Sequence, residues 1–349
     1  MRAATITAPR TSTIGDWELA APGAGEVEIR VRACGMCGSN LHAWAHPELA
    51  IQREGSSGIG AAGHEIAAEV VRVGADVDSL APGQQICVEP NLATGCGSCA
   101  ACQEGRAWFC RSQSDLPSWG FAEAMVIPAR AALRPPSDIA PEVLTLAEPL
   151  ACAMHALRSS YTGTVRGLTD RHVAVIGAGV AGLLAVAAAR DLGARRVTVL
   201  ARHPHQAAAA AALGATQVLS GKVDASDERV YRLGADLVLE AVGGQSDTFA
   251  TALAAVARGG EVAVLGLFDQ PQTFDARRAV FREVRLFFPV TYGTLHGVAD
   301  FDLALGLLAR KQTQLAQLVT HQVPLEGIDE AFALAANKAA GALRVVVVP

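Results

Sequence analysis

The chain has 349 residues, enough for two domains each with its own core, and a formal net charge of −5 at pH 7. It contains no basic run or charged block, so nothing in it supports a nucleic-acid or polyanion partner. The N-terminal MRAATITAPR has no apolar segment long enough for a secretory signal, and the longest apolar run, Val173 to Ala189, is near the lower limit for a membrane span and interrupted by glycines. A soluble cytoplasmic protein with no membrane partner is expected.

In chain order, residues 26–33, EVEIRVRA, alternate as a half-buried strand does. The next stretch, ACGMCGSNLHAW from Ala33 to Trp44, carries Cys37 and His42. GHEIAAEVVRVG, from Gly63, reads as a second strand with His64 and Glu65 at its start, and QQICVEP as a third. Cys37, His42, His64 and Glu65 are metal-competent residues on two separate segments, and either fragment alone is a weak signal.

GCGSCAACQEGRAWFC follows, with Cys96, Cys99, Cys102 and Cys110 in the spacing C-x2-C-x2-C-x7-C. In a reducing compartment such clusters are metal ligands more often than disulfides. Gly95, Gly97 and Gly105 let the loop fold tightly around an ion. Four thiolates close a tetrahedral shell around Zn²⁺ and leave no open position, so this site is structural and the reaction belongs elsewhere. An iron–sulfur cluster is the other metal reading of four thiolates.

Pro135-Pro136-Ser137-Asp138 breaks the chain before a helical pattern over Pro141 to Ser160. After Arg171 the pattern changes to alternating strands and helices. RHVAVIGAG is a buried strand entering a glycine turn, and GVAGLLAVAAARDLGA is a helix. RRVTVL is a strand, followed by an alanine-rich helix to Leu213-Gly214. DLVLEAVGG is a strand, TFATALAAVARGG a helix and EVAVLGLF a strand. Such alternation predicts an α/β fold with a doubly wound parallel sheet. Gly177-Ala178-Gly179-Val180-Ala181-Gly182 is a G-x-G-x-x-G that follows a strand and opens a helix, the context in which it reads as a dinucleotide-phosphate loop. Gly177 allows the tight turn, Gly179 lets a pyrophosphate approach, and Gly182 lets helix and strand pack closely. EVRLFFPV, Glu283 to Val290, is an apolar run expected at the sheet edge, and LRVVVV is a last strand.

Taken together, C-G-S-N-L-H, G-H-E, the four-cysteine lobe, EPLACAMHA, G-A-G-V-A-G and the tail THQVPLEGIDEAFALAANKAAGALRVVVV resemble the zinc-dependent medium-chain alcohol and polyol dehydrogenases over nearly the full length. The resemblance implies a Rossmann domain inserted in a mainly β, GroES-like catalytic domain. The divisions expected are 1–150 catalytic, 151–290 dinucleotide-binding and 291–349 returning to the catalytic domain. It implies two zinc ions per subunit and hydride transfer between a secondary alcohol, polyol or cyclitol, or the matching ketone, and a nicotinamide cofactor. The catalytic zinc would lower the pKa of the alcohol. Cys37 and His64 are implied as ligands, with Glu65 third or giving way to water. Glu148 in EPLACAMHA is placed near the zinc in preference to Cys152, which stands one residue beyond the matching position. Ser39 and His42 match the proton-relay positions, although His42 has a plain ribose contact as an alternative. A homodimer or homotetramer through the edge strand is implied. Alternatives are a zinc-independent enone or quinone reductase on the same fold, or a non-catalytic dinucleotide-binding protein.

One departure is Asn40, where the family usually has an aspartate that orients the ligand histidine. Another concerns the nucleotide. NAD enzymes place an acid about 20 residues after the glycine loop to bind the ribose 2′-OH. Here Ala201 holds that position and Arg202 follows, with no acid between Arg195 and Gln206. A small residue beside a guanidinium suits a 2′-phosphate, so NADP is expected ahead of NAD. By resemblance Arg344 is expected on a cofactor phosphate. The substrate pocket is expected around Trp44, Trp119, Phe268 and Tyr292.

Overall fold

Strand Glu26–Gly35 buries Val27, Ile29, Val31 and Ala33 and exposes Arg30 and Arg32, the period of two that its alternation predicts. It is the centre of a mainly antiparallel sheet in a computed structural model that describes residues 1–47, 63–114 and 120–349. The strand order is Val319–Pro324, Arg344–Val348, Glu26–Gly35, Glu65–Val73, Gln85–Val88, Ala132–Leu133, with Ala124–Pro128 also paired to the central strand. The C-terminal strand therefore pairs directly with the central one, Val346 opposite Gly35. Trp44, Phe121, Met125 and Phe332 fill the core beside the sheet.

The second sheet has six strands, all parallel. Their order is Gln217–Ser220, Arg196–Ala201, His172–Ile176, Ala235–Glu240, Val256–Val264, Arg285–Phe287. Numbered along the chain this is 3-2-1-4-5-6, so the order reverses between His172–Ile176 and Ala235–Glu240, where doubly wound folds bind dinucleotides. Helix Val180–Asp191 buries all eight residues from Gly182 to Ala189. The strand Gln217–Ser220 was not expected; with one buried residue it carries almost no apolar signal. The helical pattern over Pro141–Ser160 divides into Pro141–Leu144 and Ala147–Ser159.

Two units separate, Met1–Glu148 with Ala304–Pro349, and Pro149–Leu303. The return to the first unit comes later than the 290/291 division, because Asp300 anchors the intervening residues to the second. Fully buried, it pairs with Arg158 and with His155 Nδ1 at 2.8 Å, and accepts from Gly293 N–H at 3.0 Å. Arg158 also donates to Leu295 O at 3.1 Å. No helix among the described residues is long and apolar enough to cross a membrane. The apolar run from Val173 is a strand, a glycine turn and a helix.

His172 opens the first strand of the parallel sheet, buried, with Nε2 2.9 Å from Thr198 Oγ1. Burial first, and Arg196 second, push its pKa down to about 4. The unfolded chain then binds a proton near pH 6.5 that the folded chain refuses until about pH 4. The associated stability is present above pH 6.5 and falls away as the pH drops toward 4, by up to about 3 kcal/mol. Denaturant titrations of wild type and His172→Asn at pH 7.5 and 4.5 check this. The variant is expected to lose less stability between the two values, and equal slopes would discard the assignment.

Candidate active site

Pairing of Gly35 with Glu65 brings the ends of two adjacent strands together. Cys37 follows the first strand as the N-cap of helix Gly38–Ala45, and His64 immediately precedes the second. The result is one cluster: Cys37, His64 and Glu65 each offer a donor atom, all within 4.8 Å of one another. The Asn40 side-chain oxygen accepts from Cys37 N–H at 3.0 Å. It thus fixes the thiol-bearing residue. Ser39 and His42 lie three residues apart on the same helix and so share a face. Burial pushes the Cys37 thiol up, and Glu65 adds to this; the Ser39 hydroxyl and Arg344 oppose it.

The donors fit a zinc ion. Thiolate, imidazole and carboxylate are all zinc ligands, and three of them leave a position open. One atom argues for an occupant: His64 Nδ1 is buried without a hydrogen-bond partner. Such an atom is costly in a fold that never fills the site.

Arg344 stands elsewhere than expected. It is 1% exposed, and its Nη2 lies 2.6 Å from Glu65 Oε2. That contact is an ion pair without hydrogen-bond alignment, which is how Glu65 Oε2 has a charged neighbour and no hydrogen bond. Nη2 donates instead to Thr145 O at 3.0 Å, and Nη1 to Met36 O at 3.4 Å. The guanidinium is thus engaged inside the first unit and not presented to a phosphate. Gly35 makes this possible, since a Cβ there would overlap Arg344 Nη2 and come within 2.7 Å of Glu65 Oε2. Glu148 is buried in the first turn of helix Ala147–Ser159 but is not among the clustered donors. Cys34 is fully buried, with its thiol pushed far up by burial.

The expected pocket aromatics are also placed differently. Trp44 stacks on Phe332 with ring centroids 5.1 Å apart and donates to Asp329 at 3.2 Å, so it belongs to the core. Tyr292 is buried edge-on to Phe301, and Phe268 packs against Phe249. Trp119 lies outside the described residues.

The four lobe cysteines form a second cluster, again with sulfurs within 4.8 Å. Cys96 and Cys102 sulfurs are 4.0 Å apart, near the edge of about 3.8 Å in a tetrahedron with Zn–S of about 2.3 Å. Cys96 N–H points at Cys110 Sγ and Cys99 N–H at Cys96 Sγ, each at 3.4 Å. Gly97 and Gly105 take left-handed φ of 76° and 71°, supplying the sharp turns. Arg130 donates to Gly95 O at 2.6 Å and holds the lobe to the sheet. Hydrogen bonds from Ser98 and then Cys99 lower the Cys96 thiol to about 5, while burial pushes Cys102 up to about 12. A cation would draw all four to the thiolate form.

In the second unit Gly177 has φ 97°, and a Cβ there would overlap Val242. A Cβ on Gly182 would overlap Gly177 O, the close approach its place in the motif requires. Gly179 caps helix Val180–Asp191 with no side-chain bond, and a Cβ there would meet nothing within 4 Å. Beginning at Val180, the free N–H groups of that helix face an open cradle suited to a phosphate. Ala201, fully buried, ends the second strand, and Arg202 beyond it is exposed. His203 caps helix Pro204–Ala212, whose first turn has no acidic residue, and stacks on His205 with centroids 5.6 Å apart.

Residues 180–310 match the family model for the zinc-binding dehydrogenase domain, and 23–137 that for the alcohol dehydrogenase GroES-like domain. The chain is 30% identical to the L-threonine 3-dehydrogenase of Bacillus subtilis (strain 168) over 334 residues, covering 93% of this chain and 91% of the relative. The chain belongs to the zinc-dependent medium-chain alcohol and polyol dehydrogenase family. It is therefore an oxidoreductase of alcohols or polyols that uses zinc and a nicotinamide cofactor, on a GroES-like domain combined with a Rossmann sheet. Galactitol-1-phosphate dehydrogenase from Escherichia coli has the same fold, with a TM-score of 0.84 over 100% of both chains at 23% identity. A zinc-binding dehydrogenase from Sinorhizobium meliloti 1021, solved bound to NADP, aligns with a TM-score of 0.81 at 27% identity, covering 100% of this chain and 99% of that one.

The two glycines with opposite surroundings give a paired prediction. Gly35→Ala forces Arg344 off Glu65 and is expected to cost about 1–3 kcal/mol, the range for overpacking. Gly179→Ala meets open space and should cost under about 1 kcal/mol, yet weaken dinucleotide binding by filling the cradle. Thermal unfolding and fluorescence titration with reduced dinucleotide separate the two, and a reversed pattern would refute both placements.

Proposed function

We propose that this dehydrogenase oxidises a secondary hydroxyl of a polyol, cyclitol or related small alcohol, or reduces the matching ketone, with NADP in preference to NAD. Two zinc ions per subunit are assigned, one held by Cys37, His64 and Glu65, the other by Cys96, Cys99, Cys102 and Cys110. The observation that carries the reading is the contrast between the clusters. Four thiolates close a shell, whereas three mixed donors leave a position for substrate. When bound, the catalytic zinc supplies Lewis acidity toward the alcohol oxygen and the dinucleotide supplies the hydride acceptor.

The chain's own residues do the rest. Asn40 and Ser39 hold Cys37 from the backbone and the side chain. The Ser39 hydroxyl both accepts and donates, and His42, on the same helix face, can carry the proton outward. A secondary alcohol agrees with the B. subtilis relative, named for position 3 of L-threonine. Ala201 and Arg202 support NADP, as does the NADP-bound S. meliloti neighbour. Phe288 beside the sheet edge is 63% exposed and Val280 and Phe281 more so, which supports a homodimer or homotetramer with this edge covered. Eight free cysteines support a reducing, cytoplasmic setting.

A screen of alcohols and ketones with both nucleotides, followed at the reduced-nicotinamide absorbance, tests the activity. On the best substrate, wild type is expected to show higher kcat/KM with NADP, and Arg202→Ala to reduce that preference by about tenfold. An NAD preference indifferent to the substitution would overturn the assignment. Metal analysis should return two zinc ions per chain, and Cys102→Ser about one. In Asn40→Asp a buried negative charge beside Cys37 disfavours proton loss at the site, so the rising limb of the pH–rate profile moves to higher pH. Superimposable profiles would show that residue 40 does not tune the centre.

A further inference from the structure

Glu240 ends the fourth strand of the parallel sheet and is completely buried. Its Oε1 accepts three hydrogen bonds, from Val242 N–H at 2.8 Å, Gly243 N–H at 3.1 Å and Thr248 Oγ1 at 2.7 Å. Its main-chain oxygen accepts from Leu265 N–H at 2.8 Å and Gly266 N–H at 3.2 Å. One residue therefore holds the loops that follow both the fourth and the fifth strands. Glu240 Oε2 is buried with no partner, and a Cβ on Gly266 would overlap it, so the fold makes room for a carboxylate it only half satisfies. Burying such a group is costly, and ending a strand does not require it.

The loop it holds lies against the phosphate turn. Ala241 N–H donates to Ile176 O at 2.9 Å, and the Val242 side chain occupies the space that a Cβ on Gly177 would need. Val242 is nonetheless 48% exposed. Gly243 and Gly244, with φ of 62° and 61°, turn the chain back, and Gly244 N–H donates to Leu267 O at 2.6 Å. The loop thus flanks the point where the strand order reverses.

We propose that Glu240 is a positioning residue for the dinucleotide: its carboxylate holds residues 241–244 against Gly177 and keeps the crevice in its receiving shape. The inference rests on the dinucleotide reading of the second unit. It separates shape from contact, since Glu240 itself is buried and works through Val242 and Gly243. A purely structural role would change stability and leave affinity alone.

Fluorescence titrations of the zinc-loaded enzyme with NADPH and NADH, alongside thermal unfolding, test this in Glu240→Ala, Glu240→Gln and Val242→Ala. Glu240→Ala is expected to raise Kd for reduced dinucleotide about tenfold or more, the weight of one lost charge-assisted hydrogen bond. KM for the alcohol at saturating dinucleotide should stay at the wild-type value. Glu240→Gln keeps an oxygen that can accept the same bonds and should recover Kd to within about threefold of wild type. Val242→Ala leaves the carboxylate in place, removes the contact at Gly177 and should also weaken binding. A folded Glu240→Ala with wild-type Kd would overturn the proposal, as would a Glu240→Gln as weak as Glu240→Ala. If Glu240→Ala does not fold, unchanged affinity in Val242→Ala overturns it. Wild-type protein that binds neither dinucleotide would overturn the underlying reading, a failure distinct from variants that match a binding wild type.

Discussion

The ion pair between Glu65 and Arg344 joins residues 279 positions apart in the chain. Both residues are 1% exposed, so each would be prohibitively costly to bury alone. Arg344 opens the C-terminal strand, and Glu65 opens the second strand of the same sheet with the Glu26–Gly35 strand between them. The pair reaches across that middle strand only because position 35 is glycine. Strand register therefore places the C-terminal strand and the three-donor cluster at one point of the sheet. Under the proposed assignment Glu65 would face competing attractions, to the guanidinium and to a zinc ion bound at Cys37 and His64. Poor hydrogen-bond alignment between the two groups keeps the carboxylate from being fully spent on the arginine.

The parallel sheet was largely legible in the sequence because each physical demand falls on a distinct residue type. Buried strands need continuous apolar runs, and the phosphate turn needs glycine at 177, 179 and 182 for three different steric reasons. The clustering of the four cysteines was legible because Cys96 to Cys110 span only fifteen residues. What escaped depends on contacts across the sheet. The pairing partner of Arg344 is fixed by strand register, which no local spacing encodes. Trp44 and Tyr292 read as pocket aromatics, but a large apolar ring satisfies a core equally well. Gln217–Ser220 is an outer strand with too few buried positions to show a period. Glu240 reads as one acid before a glycine pair, and only its buried bonds reveal that it organises two loops.

The unpartnered His64 Nδ1 also weighs against the two competing functions. A zinc-independent reductase on this fold gains nothing from holding a buried thiol, an imidazole and a carboxylate within 4.8 Å, and it would bear the cost of His64 Nδ1. A scaffold that only binds dinucleotide has the same difficulty, since nothing in its task requires an open three-donor centre beside a serine and a histidine on one helical face. The thiolate lobe alone would satisfy either alternative, because a closed shell contributes folding energy and no chemistry. Retaining both kinds of cluster makes sense when one stabilises the fold and the other keeps a coordination position free. The cost left at His64 Nδ1 would then be offset by a bound cation. Unsatisfied buried groups in native proteins are often functional ones, and His64 Nδ1, beside two further metal-competent donors, fits that description.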